Sequence, residues 1–280
     1  MSNVGSVGRV VDWVLGCLGI RASRSKYAPV KQGCTQFWYG RVNRWAVSKD
    51  TLKKELDLMA KKGLSGYLIE MSGWGSYKNK QWTDKWVSEV KSWYTWLLTE
   101  CRSRKLWLFV SIVNDNMGKG KYGDTGPSLE KAYSCAQKLA KVVKAGGKDG
   151  VYVQPVAETQ SASGKKFEQY CIKQLAGFKL VYNGSAGHPK KAIAGMQNYA
   201  THPSSISASN PKDAFVVSDH GKIIRELNIG GGLENHGDPS KVRAWAKKVK
   251  SQGCPVCAYY AFKVKDYDAG TIKALAEAIK

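Results

Sequence analysis

Stretches typical of β-strands alternate with stretches typical of α-helices from residue 34 to the end of the chain. The predicted strands are short and rich in β-branched and aromatic residues, at 35–42, 66–71, 106–113, 151–156, 179–182, 214–218, 229–233 and 256–262. Strict alternation indicates right-handed βαβ units and a parallel sheet. Eight units fit the size of a closed barrel, about 250 residues. The predicted fold class is therefore α/β, a (β/α)8 TIM barrel, with an open doubly wound sheet as the alternative.

Helix boundaries are marked by capping residues. Ser48 precedes the apolar stripe of Leu52, Leu56 and Met59, and Gly63 follows it, which predicts a helix between the two caps. The other helices are predicted at 83–102, 128–144, 165–175, 189–199, 223–227, 239–253 and 269–279. No G-x-G-x-x-G follows the first strand and no G-x-x-x-x-G-K-[ST] occurs, which disfavours nucleotide binding of those two types.

Residues 1–33 differ from the barrel domain predicted at 34–280. Apolar residues recur at helical spacing over 4–20 and basic residues follow, so an amphipathic and basic extension is predicted. Asp12 interrupts the apolar run, which argues against a secretion signal. Two interpretations stay open: a helix packed on the barrel, or an arm that contacts a membrane surface or a larger assembly.

Seven cysteines are scattered along the chain, and their odd number does not suggest a disulfide framework. Folding in a reducing compartment is the better interpretation. Cys254 and Cys257 form a C-x-x-C, but residues 258–262 after it are typical of a strand, whereas a redox motif requires a helix there. We therefore predict buried thiols and neither redox chemistry nor a zinc site.

The net charge is +22, because 44 lysines and arginines face 22 acidic residues. Such an excess predicts attraction to a polyanion. The partner classes are a glycan or anionic cell-envelope polymer and, non-specifically, a nucleic acid. Paired lysines such as Lys53–Lys54 and Lys61–Lys62 fall on predicted helices, so they are expected on the outside of the barrel.

The carboxyl ends of the predicted strands carry polar and aromatic side chains. In a closed parallel barrel these ends meet at one face, where the chemistry of such barrels takes place. Glu158 follows the fourth strand and Glu234 the seventh. The candidate substrate contacts are Glu70, Trp74, Asp115, Tyr182, Asn183, Asp219, His220, His236 and Tyr260.

Carboxylates that share a cleft shift one another's pKa values, so that one keeps its proton while another stays ionised. Glycoside hydrolysis needs that division of labour. Aromatic side chains at the same face offer flat surfaces for sugar rings. Gly230, Gly231 and Gly232 in the seventh strand indicate a β-bulge, a tight bend or close approach of a ligand.

Carboxylates after strands four and seven resemble the arrangement in retaining (β/α)8 glycoside hydrolases. The resemblance implies that Glu158 is the general acid/base and Glu234 the nucleophile. We expect no cofactor and no metal. The chain departs from that superfamily at Ala157, where an asparagine is usual, and at Tyr259 and Tyr260, where a tryptophan is usual. The expected function is hydrolysis of a polysaccharide or cell-wall glycan by an enzyme of phage origin, associated with the virion or released at lysis.

Two alternatives stay open. A metal-dependent hydrolase would use Asp219, His220, Glu234, His236 and Asp238, which are acceptable ligands, although no H-E-x-x-H occurs. A catalytically idle basic barrel would serve as a structural or nucleic-acid-associated protein, for example of a virus particle. The sugar, its linkage and the stereochemical outcome are left open by the sequence.

Overall fold

The computed structural model describes residues 36–41, 47–71, 83–114, 129–157, 162–184, 196, 198–201, 228–234, 238–251, 256–260 and 266–279. Eight parallel strands form a closed barrel in chain order. They are β1 Gln36–Arg41, β2 Gly66–Glu70, β3 Trp107–Asn114, β4 Val151–Ala157, β5 Lys179–Gly184, β6 Asn198–Thr201, β7 Asn228–Glu234 and β8 Val256–Tyr260. The predicted barrel is thereby confirmed, and the open sheet is excluded.

Helices follow most of the strands in the described part of the chain. They are α1 Lys49–Lys62, α2 Asp84–Ser103, α3 Leu129–Gly146, α4 Ala162–Gln174, α5 Pro239–Ser251 and α6 Ala269–Ile279. None of these six has both the length and the apolar character that a membrane crossing requires. The N-terminal stretch 1–33 and the predicted domain boundary after it lie outside the described residues.

The caps of α1 are those that the sequence predicts. The Ser48 hydroxyl accepts a hydrogen bond from the Thr51 backbone N–H at 3.1 Å, which satisfies one free donor of the first turn. Gly63 ends the helix with φ of 81°, a left-handed conformation that glycine adopts without steric cost. Leu52, Leu56 and Met59 are fully buried, so the apolar stripe faces the core as expected.

Aromatic rings fill one part of the barrel interior. The ring of Trp38 on β1 lies 6.4 Å from that of Phe109 on β3 and 5.8 Å from that of Tyr152 on β4, between centroids. Side chains on strands that are not neighbours meet only inside a barrel, so these three point inward. Tyr152 also contacts Trp107, with ring centroids 4.9 Å apart.

A second apolar layer lies between the strands and the helices. Cys101, Cys135 and Cys171 pack into it from three different helices as free thiols, each at most 2% exposed. Burial raises the pKa of each of these thiols, which keeps them protonated and unreactive. Cys257 lies within β8, so the strand predicted after Cys254 is confirmed.

One strand is not where the sequence analysis placed it. The prediction of residues 214–218 as the sixth barrel strand is wrong, because β6 is Asn198–Thr201 and pairs with β5 and β7. The helix predicted at 189–199 therefore extends too far. β6 has four residues and no apolar run, so its strand conformation depends on hydrogen bonds to its neighbours rather than on local sequence.

Candidate active site

The carboxyl ends of the strands lie at one face because the barrel is closed and all its strands are parallel. Their last residues are Arg41, Glu70, Asn114, Ala157, Gly184, Thr201, Glu234 and Tyr260. This rim is the candidate active site.

Two of the predicted carboxylates are related to the rim, because Glu234 ends β7 and Glu158 directly follows the last residue of β4 in the chain. β4 ends at Ala157, so Glu158 is the next residue along the chain, and it lies outside the described residues. Glu234 is the last residue of β7, and its backbone is in register with Tyr260 of β8. In chain position, Glu158 therefore comes directly after β4, and Glu234 is the last residue of β7.

Glu70 is a third carboxylate on this face. It is the last residue of β2 and is in register with Ser111 on β3, which is in register with Gln154 on β4. Ser111 and Gln154 lie two residues beyond the inward-facing Phe109 and Tyr152, so they also point into the barrel. The three side chains are 9%, 3% and 1% exposed and form one polar row above the aromatic rings.

Asn183 and Tyr260 are also found next to rim positions. Asn183 on β5 is in register with Ala157, directly before Glu158, and with Ala200 on β6. Tyr260 links the ends of β7 and β1, because its backbone is in register with both Glu234 and Gly40. These positions agree with the sequence analysis, although the binding roles of both side chains remain predictions.

Tyr182 occupies a different environment from the one expected. Its side chain is 7% exposed and belongs to the apolar layer between strands and helices. Little of the ring is available to a sugar, and stacking would require the side chain to move. The local sequence gives no sign of this, because an aromatic residue near a strand end is equally suited to both environments.

Other predicted contacts lie outside the described residues. Asp219 and His220 do not end the sixth barrel strand, because β6 ends at Thr201. His202 is the residue that follows β6 directly, a position that the misplaced strand concealed. The remaining predicted contacts outside the described part are Trp74, Asp115 and His236.

The glycine-rich strand is irregular, as predicted. The register of β7 against β8 shifts between Gly230 and Gly232, which leaves Gly231 as the extra residue of a bulge. The bulge interrupts the regular pairing two residues before the backbone of Glu234, the last residue of β7.

A buried polar cluster outside the barrel connects β1, α1 and the start of α6. The Arg41 Nε donates to Glu55 Oε2 at 3.0 Å, and its Nη2 donates to Glu55 Oε1 and to the carbonyl oxygen of Asp266, the latter at 2.7 Å. Glu55 Oε1 also accepts from the Asp268 backbone N–H at 3.0 Å. The Tyr39 hydroxyl contacts Glu55 and Asp268 at 3.4 and 3.3 Å.

The electrostatics of this cluster keep Arg41 charged and Tyr39 neutral. Burial by itself would lower the pKa of Arg41, but the hydrogen bond to Glu55 and the nearby acidic groups together outweigh it, and the pKa is raised. Burial, and next the charge of Glu55, raises the pKa of Tyr39 well above its ordinary value. The cluster therefore holds the chain before α6 against the end of β1 through fixed charges.

Asp238 has a local structural role. Its Oδ1 accepts hydrogen bonds from the Ser240 backbone N–H at 2.9 Å and hydroxyl at 2.6 Å at the start of α5. The bond from the Ser240 hydroxyl is the main reason that the pKa of Asp238 is lowered. Within the described ranges, no three histidine, cysteine, aspartate or glutamate side chains are grouped as metal ligands.

Comparison with solved structures identifies similar folds. A family 5 lichenase from a Caldicellulosiruptor species superposes with a TM-score of 0.54 at 12% identity, over 93% of this chain and 96% of that one. A broad-specificity endoglucanase from Clostridium longisporum matches with a TM-score of 0.54 at 11% identity, over 81% and 85%. These matches show that the chain shares the fold of these proteins. No protein-family model and no curated protein matches its sequence.

A third similar structure is larger than this chain. The endo-β-mannanase/endo-β-glucanase from Prevotella bryantii matches with a TM-score of 0.54 at 12% identity over 93% of this chain. This chain spans 51% of that protein's length. Identities this low show a shared fold and no shared reaction.

Proposed function

We propose that this protein hydrolyses glycosidic bonds in a polysaccharide or cell-wall glycan, with Glu158 as general acid/base and Glu234 as nucleophile. The proposal is carried by the closed parallel barrel in which β4 ends directly before Glu158 and β7 ends at Glu234. The glycoside hydrolase-like fold supports the same chemistry.

The proposed reaction has two steps. The Glu234 carboxylate attacks the anomeric carbon while the Glu158 carboxylic acid protonates the leaving glycosidic oxygen, so the glycosidic bond breaks and a glycosyl ester forms. Glu158, now a carboxylate, then takes a proton from water, whose oxygen attacks the anomeric carbon and releases Glu234. This retaining course requires carboxyl groups about 5–5.5 Å apart, whereas a separation of about 6.5–9.5 Å would indicate inversion.

Other rim residues would bind the sugar or adjust the pKa values of the two glutamates. Asn183 is next to the end of β4, Tyr260 is next to the end of β7, and Glu70 adds a third carboxylate. We assign the same role to Trp74, Asp115 and His236. Tyr182 would join them only if its ring left the core.

The outer helices suggest where the enzyme would act. Lys53, Lys54, Lys61 and Lys62 of α1 are all exposed, as the sequence analysis expected. Exposed cations together with the net charge of +22 would concentrate the protein near an anionic envelope polymer. This favours a cell-wall glycan as the substrate, and we propose a phage-derived enzyme as the biological setting.

The same charge favours one alternative function, an idle barrel that binds a polyanion such as nucleic acid. Phosphate binding of this kind would not depend on nucleotide sequence and would weaken steeply with salt. The two functions differ in one measurement, because the idle barrel hydrolyses no glycan.

The test is a hydrolysis screen with lichenan, glucomannan, carboxymethylcellulose and peptidoglycan. Glu158→Gln and Glu234→Gln should each reduce turnover by at least about a hundredfold, because each removes one half of the two-carboxylate chemistry. Glu130→Gln, an exposed glutamate on α3, is the matched control and should keep full activity. Full activity in either rim variant would remove that residue from the mechanism, and no hydrolysis by the wild type would favour the idle barrel.

A further inference from the structure

Tyr267 lies in the connection from β8 to α6, on the same side of the barrel as the candidate active site. It lies between β8, which runs toward that side, and Ala269, the first residue of α6. The residue is 43% exposed, and in the described part of the chain it is the one large hydrophobic residue that is exposed. Tyr39, Tyr67 and Tyr259 are fully buried by contrast.

The backbone on both sides of Tyr267 is held by the buried ion pair. The carbonyl oxygen of Asp266 accepts from Arg41 at 2.7 Å, and the N–H of Asp268 donates to Glu55 at 3.0 Å. The Asp268 carboxylate accepts from the Thr271 backbone N–H at 3.2 Å and so caps α6. The exposed ring is therefore carried by an anchored turn, and binding a ligand there would cost little conformational entropy.

The chemistry of the position suits a sugar. Tyrosine combines an apolar ring face with a polar edge, which is favourable where one side of a contact remains wet. Asp266 is exposed beside it, and its carboxylate offers hydrogen-bond acceptors for hydroxyl groups. An aromatic face next to a carboxylate matches a pyranose ring, which has an apolar face and a rim of hydroxyls.

We infer that Tyr267 is a stacking platform for a sugar ring of a glycan chain that extends beyond the strand ends. The inference rests on the proposed function and names a distal part of the same binding site. α6 belongs to the outer helix layer, so the platform lies outside the ring of strand ends and contacts only substrates long enough to reach it. Tyr267 thus favours polymers over short oligosaccharides.

The test measures polymer binding separately from hydrolysis. Native gels containing lichenan or glucomannan, both uncharged, are run with Glu158→Gln protein so that the polymer survives. Adding Tyr267→Ala should weaken binding about three- to tenfold, the range expected for loss of one aromatic contact. Tyr267→Phe keeps the ring and should bind within about twofold of the parent. Lys273→Ala, an exposed residue of α6, is the matched control and should have no effect.

Each outcome decides the inference. Binding of Tyr267→Ala equal to the parent overturns it, and so does a parent that neither polymer retards. A loss in Tyr267→Phe as large as in Tyr267→Ala also overturns it, because the hydroxyl and not the ring would then be responsible. Retardation that depends on Tyr267, combined with a wild type that hydrolyses nothing, would sustain this inference while the proposed hydrolysis fails.

Discussion

Arg41, at the end of β1, and Glu55, in the middle of α1, form an ion pair in which neither side chain is exposed. A buried charge is costly unless it is paired and hydrogen-bonded, and here the Glu55 carboxylate also accepts from Asp268. The pair therefore connects the first strand, the first helix and the start of the last helix.

Glu55→Gln should reduce the free energy of unfolding by about 3–5 kcal/mol, because it leaves the Arg41 charge buried without its counter-ion. Urea unfolding measures this change. Asp57→Asn, on the same helix, breaks the more exposed pair with Arg104 and should cost at most about 1 kcal/mol. An equal loss of unfolding free energy in the two variants would show that burial does not determine how much the Arg41–Glu55 pair contributes to stability.

Gln154→Met should leave stability unchanged or raise it by about 1–2 kcal/mol. Both polar atoms of the Gln154 side chain are buried without a hydrogen-bond partner in the described part of the chain, and methionine has a similar shape without the amide. Thermal unfolding is the measurement, with Gln169→Met on α4 as control. A clear loss of stability in Gln154→Met would contradict the prediction and show that the amide supports the fold.

Gly40→Ala should prevent barrel closure or cost more than about 3 kcal/mol. A β-carbon there would overlap the backbone carbonyl of Leu68 on β2, which cannot move without breaking the β1–β2 pairing. Circular dichroism and urea unfolding test this. Gly63→Ala meets no neighbouring atom within 4 Å and should cost only about 1–2 kcal/mol, from its left-handed φ. A Gly40→Ala variant as stable as the wild type would overturn the clash argument.

Stability should fall as the pH rises above about 9 to 10. Burial raises the pKa of Tyr39 and Tyr67 well above 10.0, and that of Cys101 above 9.0. In the unfolded chain these groups lose protons at their ordinary pKa values, whereas in the folded protein they keep them. Each group then removes about 1.4 kcal/mol per pH unit between its two pKa values.

Urea unfolding at pH 8, 9.5 and 10.5 measures this loss of stability. Tyr39→Phe should make the decline less steep, because phenylalanine does not titrate. A free energy of unfolding that is constant across this range would contradict the assignment of these groups as buried and neutral.

Much of the architecture was predictable from the sequence. Ser48, Gly63 and Thr83 mark helix ends through local hydrogen bonds or backbone conformation, and such signals act within a few residues. The alternation of predicted strands and helices was sufficient to predict the barrel fold, because parallel strands are usually joined by helical connections. Glu234 could be placed at a strand end for the same reason.

Only the tertiary structure decided which segment is β6, which side chains pair in the buried cluster, and that Tyr182 is in the core while Tyr267 is exposed. β6 is held by hydrogen bonds to strands that are distant in the sequence. Arg41 and Asp266 are 225 residues apart, and no local pattern records that they meet. Local propensity determines which segments form helices and strands, whereas burial and pairing between distant segments determine which of them pack together.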